Sequence, residues 1–101
     1  MHTLRYSDGK AAAESFPITV DCEPWLGTVT ISSVVYAATD LADGSDVTST
    51  FLKSAGHTNT TLLVKPWVQA GTAGKEYEVT LTITNSDTSI LKVAIHIEVI
   101  R

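Results

Sequence analysis

The sequence predicts an all-β protein, an immunoglobulin-like β-sandwich of about seven antiparallel strands. Three observations support this fold class. Apolar and polar residues alternate with a period of two through the C-terminal part of the chain. Upstream, clusters of turn-forming residues separate several short β-branched stretches. A tyrosine also stands where such sandwiches begin a core strand after a tight corner.

The clearest element is a C-terminal hairpin. From Tyr77 to Ile83 the odd positions are apolar and the even positions are Glu or Thr, and the stretch from Leu91 to Val99 alternates in the same way. Since successive side chains of a strand point to opposite faces, each stretch has one buried face and one solvated face. The polar residues 85–88 between them favour a turn, so the two stretches are predicted to pair.

Upstream of the hairpin, the β-branched stretches are shorter and less regular. Pro24 ends the first of them, and Pro66 indicates a sheet edge or a bulge in the last. Residues 40–46, with Gly44 and three aspartates, are predicted to form a loop. The predicted strands occupy 18–22, 29–38, 47–52 and the residues from 60 onward.

Tyr77 is the residue to which we assign a structural role. It follows the small-residue loop 71–74 and begins the first hairpin strand with the parity of the buried face. In immunoglobulin-like sandwiches, a tyrosine at this place bonds its hydroxyl to the backbone just upstream and thereby holds the corner. The alternative is an ordinary half-buried strand tyrosine.

Length and composition limit the function classes. The 101 residues fit one domain, predicted to span 1–101 with residues 1–15 as a loosely ordered N-terminal arm. A net charge of −4 and the absence of a basic cluster argue against nucleic acid as a partner. No apolar run is long enough to cross a bilayer and the first residues lack a signal-peptide pattern, so we expect no membrane partner and synthesis in the cytoplasm. Cys22, the single cysteine, excludes an intrachain disulfide and is expected to be a small buried hydrophobe.

The sequence contains no pattern typical of a catalytic or metal site, so we predict no enzyme, no metal and no cofactor. His2, His57 and His96 are far apart and lack metal-ligand spacing. The aspartates of 40–46 lack the closing glutamate of an EF-hand, which favours a solvated turn over a calcium site. The alternative for Cys22 is a catalytic nucleophile activated by a histidine that is distant in the sequence.

Trp67 and Trp25 are the candidate binding residues. Each follows a proline, and exposed tryptophans anchor partner proteins or sugars. Packing at the rim of the core is the alternative for both. For assembly we also single out residues 49–65, which carry few charges, because a flat polar strand such as 58–61 at a sheet edge is able to accept a neighbouring chain.

Three segments of the chain form a pattern that spans most of its length. The segments are Phe16–Asp21 running on to Trp25-Leu26-Gly27 and Thr30–Ser33, then Trp67-Val68 with the 71–74 loop and Tyr77-Glu78-Val79, and finally the closing stretch Val99-Ile100-Arg101. In these segments, and in their order, the chain resembles small phage and prophage proteins of the fibre–tail adaptor type, a group of virion-associated immunoglobulin-like proteins. Cys22 replaces an expected bulky aromatic residue, and residues 42–57 have no counterpart in the pattern.

The resemblance implies a structural virion protein of the tail, neck or fibre-adaptor kind, present in several copies. Its partners would be other virion proteins, with a homo-oligomer among the expected assemblies, and it would be made in the cytoplasm of the bacterial host. The alternative is a carbohydrate-binding or adhesive immunoglobulin-like module of a bacterial surface protein. The lack of a signal-peptide pattern favours the virion protein.

Overall fold

The structure is a computed structural model that describes residues 2–6 and 9–100. Met1, residues 7–8 and Arg101, which belong to the predicted arm and to the closing stretch of the resemblance, lie outside that range. The helices in the described part are single turns, far too short to span a bilayer. In chain order the elements are β1 (His2–Arg5), β2 (Phe16–Pro17), β3 (Val20–Asp21), α1 (Glu23–Leu26), β4 (Ile31–Asp40), α2 (Thr48–Phe51), β5 (Thr58–Asn59), β6 (Leu63–Lys65), β7 (Trp67–Val68), β8 (Glu76–Asn85) and β9 (Ile90–Glu98).

The longest strands form a four-stranded sheet, here called the first sheet, in the order β1-β9-β8-β4. β8 and β9 are antiparallel, with Tyr77 opposite Ile97 and Ile83 opposite Leu91. β4 pairs antiparallel with the other side of β8 and places Val34 opposite Ile83. The predicted hairpin is therefore confirmed.

The two faces of the first sheet differ sharply in burial. Along β8, every odd residue is buried and every even residue is partly exposed. Because directly opposed residues of antiparallel strands point to the same face, the buried odd-numbered residues of β9 join those of β8 on an inner face. The other side, the outer face, carries the threonines and glutamates of β8.

β1 lies parallel to β9, within the segment for which the sequence predicts an N-terminal arm. His2 to Arg5 run beside Val93 to His96, and the amide of Tyr6 donates to the carbonyl of His96 at 2.9 Å. Further along, Lys10 continues beside Val99. Residues 2–6 and Lys10 thereby cover an edge of β9 that would otherwise expose unpaired backbone groups.

The shorter strands form a second layer. β2 pairs with β7, and β3, β6 and β5 form a three-stranded sheet. The β2–β7 and β3–β6 pairings follow one register and so belong to a single interrupted ladder. The interruption falls at Pro66, which has no N–H to donate, although its carbonyl still accepts the amide of Ile18 at 2.9 Å.

One hydrophobic core cluster joins the two layers. Leu81 and Ile95 of the first sheet and Val64 and Val68 of the second layer are almost fully buried in it. The ring of Phe51 stacks on that of Tyr77 with 4.4 Å between centroids. The protein is therefore built mainly of β-strands in several sheets around a shared core, as the predicted all-β class requires.

Two upstream strand predictions are wrong in part. Residues 48–51 form the helical turn α2, because the Asp46 carboxylate accepts the amide of Thr48 at 2.9 Å and its hydroxyl at 2.7 Å. Because the Asp46 carboxylate accepts the N–H and O–H groups at the start of the helical turn, the turn is favoured here over an extended strand. Residues 60–62 turn rather than begin a strand, since the amide of Thr60 donates to the carbonyl of Leu63 at 2.8 Å.

Lys10 is fully buried, which is rare for a lysine. Its Nζ donates to the carbonyl of Ala11 at 2.9 Å and to the carbonyl of Ala70. Burial lowers the pKa of Lys10. These bonds fasten the segment that follows β1 to the loop that precedes β8.

Candidate functional site

Trp67 lies half-buried on β7, in the second layer. Its indole N–H donates to the hydroxyl of Ser15 at 2.8 Å, and Nζ of Lys53 lies 4.5 Å from a ring centroid. Gly56 passes beside the ring, where a Cβ would lie 3.7 Å away. The indole is held in one orientation, and its remaining exposed surface adjoins the exposed Lys53.

Trp25 lies on α1 rather than at the start of a loop. Because α1 begins at Glu23, the strand predicted over 18–22 ends at Asp21. Pro24 stands in the first turn of α1, where its fixed φ suits a helix and its missing N–H leaves no bond unmade. The Trp25 ring stacks on His2 with 4.5 Å between centroids and 16° between planes. Trp25 and Trp67 contact different neighbours, so the structure does not bring them into one site.

Tyr77 has the geometry of a corner residue. Its hydroxyl accepts the amide of Thr72 at 2.9 Å, just upstream in the chain. Gly71, at φ +101°, leaves room for the ring, because a Cβ there would lie 2.8 Å from Val99 and 3.3 Å from Tyr77. The loop before β8 is thus shaped around the tyrosine side chain.

The predicted edge segment 49–65 contains the short strand β5, at the end of the order β3-β6-β5. β5 has two residues, and very short edge strands are one way in which proteins limit edge-to-edge pairing. The hydroxyl of Tyr36 donates to the carbonyl of Thr58 at 3.4 Å, and the Tyr36 ring stacks on His57. Part of this segment is therefore engaged with β4 of the first sheet.

His57 has a structural role that the sequence did not indicate. Its Nδ1 accepts the amide of Trp67 at 2.9 Å, and its Nε2 lies 2.7 Å from the carbonyl of Lys53. The first bond makes Nδ1 the acceptor, so Nε2 carries the proton and donates to Lys53. Both ring nitrogens are occupied in joining the loop before β5 to β7.

The outer face of the first sheet carries the two most exposed large apolar side chains of the described residues. Val35 is 66% exposed and Ile90 is 63% exposed. They lie opposite Thr82 and Thr84 of β8, whose side chains point away from the core. The outer face comprises Thr3 and Arg5 of β1, the even residues 90–98 of β9, the even residues 76–84 of β8, and the odd residues 33–39 of β4.

Charge is distributed unevenly over the outer face. At one end, Arg5 lies 2.7 Å from Glu76 and 3.4 Å from Glu98. Glu78 lies beside these residues and 2.9 Å from His96, so glutamates predominate at this end. At the other end of the described face the charged side chain is that of Lys92. The row between the two ends is uncharged and consists of Ala37, Thr80, Ala94 and Thr3.

A cleft of about 380 Å³ separates β1 from the β2–β3 segment. Leu4, Tyr6, Ile18 and Ile95 are among the apolar side chains that line it. Both flanking segments are sheet edges, since β1 pairs on one side with β9 and β2–β3 pairs on one side with β6–β7. The cleft is thus a separate, more apolar surface, and it lies on a different side of the first sheet from the outer face, because Leu4 and Ile95 point to the inner face.

The aspartates of 40–46 take local partners and do not converge on one point. Asp40 is buried and lies 2.8 Å from Nζ of Lys75, whose hydrogen bond lowers the pKa of Asp40. Asp43 accepts the amide of Ser45 at 2.9 Å. Within residues 2–6 and 9–100, no three metal-ligating side chains come together.

Cys22 is fully buried beside α1, as predicted for a small apolar side chain. Burial raises the pKa of its thiol to about 11. The thiol is therefore protonated at neutral pH, and the thiolate that nucleophilic catalysis needs is not formed there.

Comparison with known protein families matches residues 10–98 to the family described as podophage GP4 fiber-tail adaptor protein gp77. The match begins at the buried Lys10 and ends at the last residue of β9, so it covers every strand of the two layers except β1. A search of curated proteins finds no match to this chain.

Proposed function

Since this chain belongs to the podophage GP4 fiber-tail adaptor protein gp77 family, we propose that it connects proteins of a phage tail and its fibres through direct protein–protein contacts. It is a phage tail and fibre structural protein, a component of the virion. The family match over residues 10–98 is the observation that carries this proposal.

An adaptor must present at least two surfaces, and the geometry supports this requirement. The outer face lies on the solvent side of the first sheet, whereas Trp67 lies in the second layer. Contacts on these two sides could engage two different proteins at once. We assign Trp67, with Lys53 beside it, to one contact and Trp25, stacked on His2 at the start of β1, to a second.

For the fold, the proposal is an immunoglobulin-like sandwich in one domain spanning 1–101. Two β layers around one core, a long terminal hairpin and the Tyr77 hydroxyl bonded to the upstream loop support it. The parallel pairing of the N-terminal strand with β9 also fits a sandwich in which the first strand covers an edge of the last one.

The proposed role is non-enzymatic and needs no cofactor, nucleic acid or membrane. The protonated, buried Cys22 and the locally bonded aspartates of 40–46 support a structural role. Several copies per virion, made in the host cytoplasm, complete the proposal.

Deletion of the gene from the phage that encodes it tests the adaptor function. The expected particles have assembled tails that lack fibres when viewed by cryo-electron microscopy. Adding the purified protein to these particles and to free fibres should restore fibre attachment. Particles that keep their fibres after the deletion would contradict the proposal, and binding of the purified chain to a glycan array would then favour the adhesive-module alternative.

A variant pair tests the contact assigned to Trp67. Trp67→Ala should reduce restoration of fibres, whereas Tyr36→Phe, which removes one long hydrogen bond to Thr58 but keeps the ring that stacks on His57, should restore fibres as well as the parent does. Far-ultraviolet circular dichroism and thermal melting confirm that each variant is folded. A folded Trp67→Ala protein that restores fibres normally would remove Trp67 from the contact.

A further inference from the structure

We infer that the outer face of the first sheet is an interface between two copies of this chain, packed face to face about a two-fold axis. The inference names the surface for the proposed assembly of several copies, and it rests on the proposed function only for the presence of those copies in one particle. Shape, charge and area support it separately.

The chemistry of the outer face suits burial against another sheet. Its middle consists of alanine and threonine side chains, which are short and make a flat surface. Ala94 is already buried in the single chain, at 1% exposed, while Val35 on β4 and Ile90 at the start of β9 stand largely free. Sheets in sandwiches pack face to face at about 10 Å through such β-branched and small residues.

Charge complementarity selects a second copy as the occupant. A two-fold axis that crosses the strands at the row of Thr80 and Ala94 reverses the order of the rows in the partner. The row that contains Lys92 then lies over the row of Thr39, Glu78, His96 and Arg5 of the second copy. Arg5 in that row is paired with Glu76 and Glu98, so Glu78 is the carboxylate that Lys92 approaches. By symmetry the same contact forms twice, as an isologous interface requires.

The alternative orientation is unfavourable. An axis parallel to the strands would leave each row facing its own equivalent, so that the glutamates of one copy would face those of the other. Like charges opposed across an interface cost several kcal/mol. The unequal charge of the two ends therefore specifies antiparallel strands across the interface.

The area predicts a weak dimer. Four strands about 4.8 Å apart and about 27 Å long along β8 present roughly 500 Å² per copy. A standard protein–protein interface buries about 800 Å² per partner. Pairing is thus expected at high protein concentration, or where neighbouring tail proteins hold the copies together.

The edge segment 49–65 is a poorer interface than this face. β5 offers only two strand residues, and Thr58 is bonded to Tyr36. An added strand would gain few backbone hydrogen bonds there. A matched pair of variants separates the two surfaces, because Thr82 on the outer face and Thr60 at the edge are the same residue type.

Sedimentation equilibrium of the purified protein up to about 1 mM measures the pairing. The parent should show a monomer–dimer equilibrium. Thr82→Lys should weaken it roughly tenfold or more, since a charge is placed within the packed face. Thr60→Lys should leave it unchanged. The inference is overturned if the parent stays monomeric throughout, or if Thr60→Lys abolishes pairing and Thr82→Lys does not.

A charge exchange tests the two-fold arrangement. Lys92→Glu should weaken pairing roughly tenfold, because it sets glutamate against glutamate. The double variant with Lys92→Glu and Glu78→Lys exchanges the charges in both symmetry-related contacts. Its association constant should return to within about threefold of that of the parent. A double variant as weak as Lys92→Glu alone would overturn the arrangement. Loss of fibres on gene deletion, combined with a monomeric parent, would overturn this inference and leave the adaptor function standing.

Discussion

The β8–β9 hairpin and the second layer cover the same core from opposite sides, but they are built differently. β8 has ten residues that pair along their length with β9 and with β4. In the second layer, β2, β3, β5 and β7 have two residues each. An isolated pair of strands this short is unstable in water, so these strands exist because the hairpin offers an apolar surface for them to cover.

Side-chain bonds replace strand length in the second layer. Asp46 turns the chain into α2, His57 joins its loop to β7, and buried Lys10 holds the neighbouring loop through backbone carbonyls. Phe51 is then positioned to stack on Tyr77. The comparison shows that regular pairing stabilises one layer and that individual polar contacts position the other.

The largest expected effect comes from removing a buried leucine in each layer. Leu81→Ala in β8 and Leu52→Ala beside α2 delete equal volumes from sites 0% and 2% exposed. Each should reduce the free energy of unfolding by about 2–5 kcal/mol, with Leu81→Ala near the upper end. A central strand held on both sides cannot close a cavity, whereas short segments can shift into one. Urea unfolding measures both free energies, and an equal or larger loss of stability for Leu52→Ala would contradict the difference between the two layers.

Tyr77→Phe tests the corner that joins the two layers. The variant keeps the ring stacked on Phe51 but leaves the amide of Thr72 without its acceptor. We expect a loss of about 1–3 kcal/mol in thermal or urea unfolding. Tyr36→Phe is the matched control, since its hydroxyl bond is 3.4 Å long and near the surface, and it should be nearly neutral. If Tyr77→Phe unfolds like the parent, the corner has no structural role.

Asp40→Asn tests the junction where β4 passes into the second layer. The lowered pKa of Asp40 means that its contribution to stability is present above its ordinary value of 3.8 and is lost as the pH falls through the lower folded value. The variant should therefore be less stable than the parent at pH 7, and the difference should shrink under acid conditions. Thermal melting across this range measures it, with the exposed Glu23→Gln as control. A difference independent of pH would exclude the Lys75 ion pair as its cause.

The smallest effect is expected for Pro66→Ala, a substitution that should make the interrupted ladder of the second layer continuous. Alanine supplies the missing N–H toward β2–β3, a gain of about 0.5–1.5 kcal/mol. The substitution also increases the conformational entropy of the unfolded chain, which lowers the free energy of unfolding by about 0.4–1 kcal/mol. Stability should thus change by less than about 1 kcal/mol, while hydrogen exchange shows a new protected amide at residue 66. An unprotected amide there would mean that the two pieces are not one ladder.

The sequence predicted those elements in which apolar and polar residues alternate regularly. Alternation identified both hairpin strands and the burial of Tyr77, and the apolar setting of Cys22 predicted its burial. The same pattern failed at 47–52, because one carboxylate, that of Asp46, outweighed a weak β preference. A preference of a few tenths of a kcal/mol per residue is easily reversed by one local hydrogen bond.

The surroundings of the candidate binding residues are less evident in the sequence than the fold is. Trp25 and Trp67 stand out in the sequence as rare aromatic residues, but the stack on His2 and the bond to Ser15 depend on segments distant in sequence. The threonine parity of β8 predicted a polar face. It did not predict that Val35 and Ile90 would stand exposed on that face, since this requires knowledge of which strands lie beside β8 and of what covers them.

By itself, the sequence determined the β-rich class, the terminal hairpin with its inner and outer faces, and a turn before Tyr77. These features follow from contacts between residues near in the chain, and periodicity reports such contacts directly. Tertiary structure alone decided the parallel docking of β1, the interrupted ladder at Pro66, the burial of Lys10 and the openness of the outer face. Each of these depends on packing between distant segments, whose free energy is distributed over many side chains and leaves no repeat in the sequence.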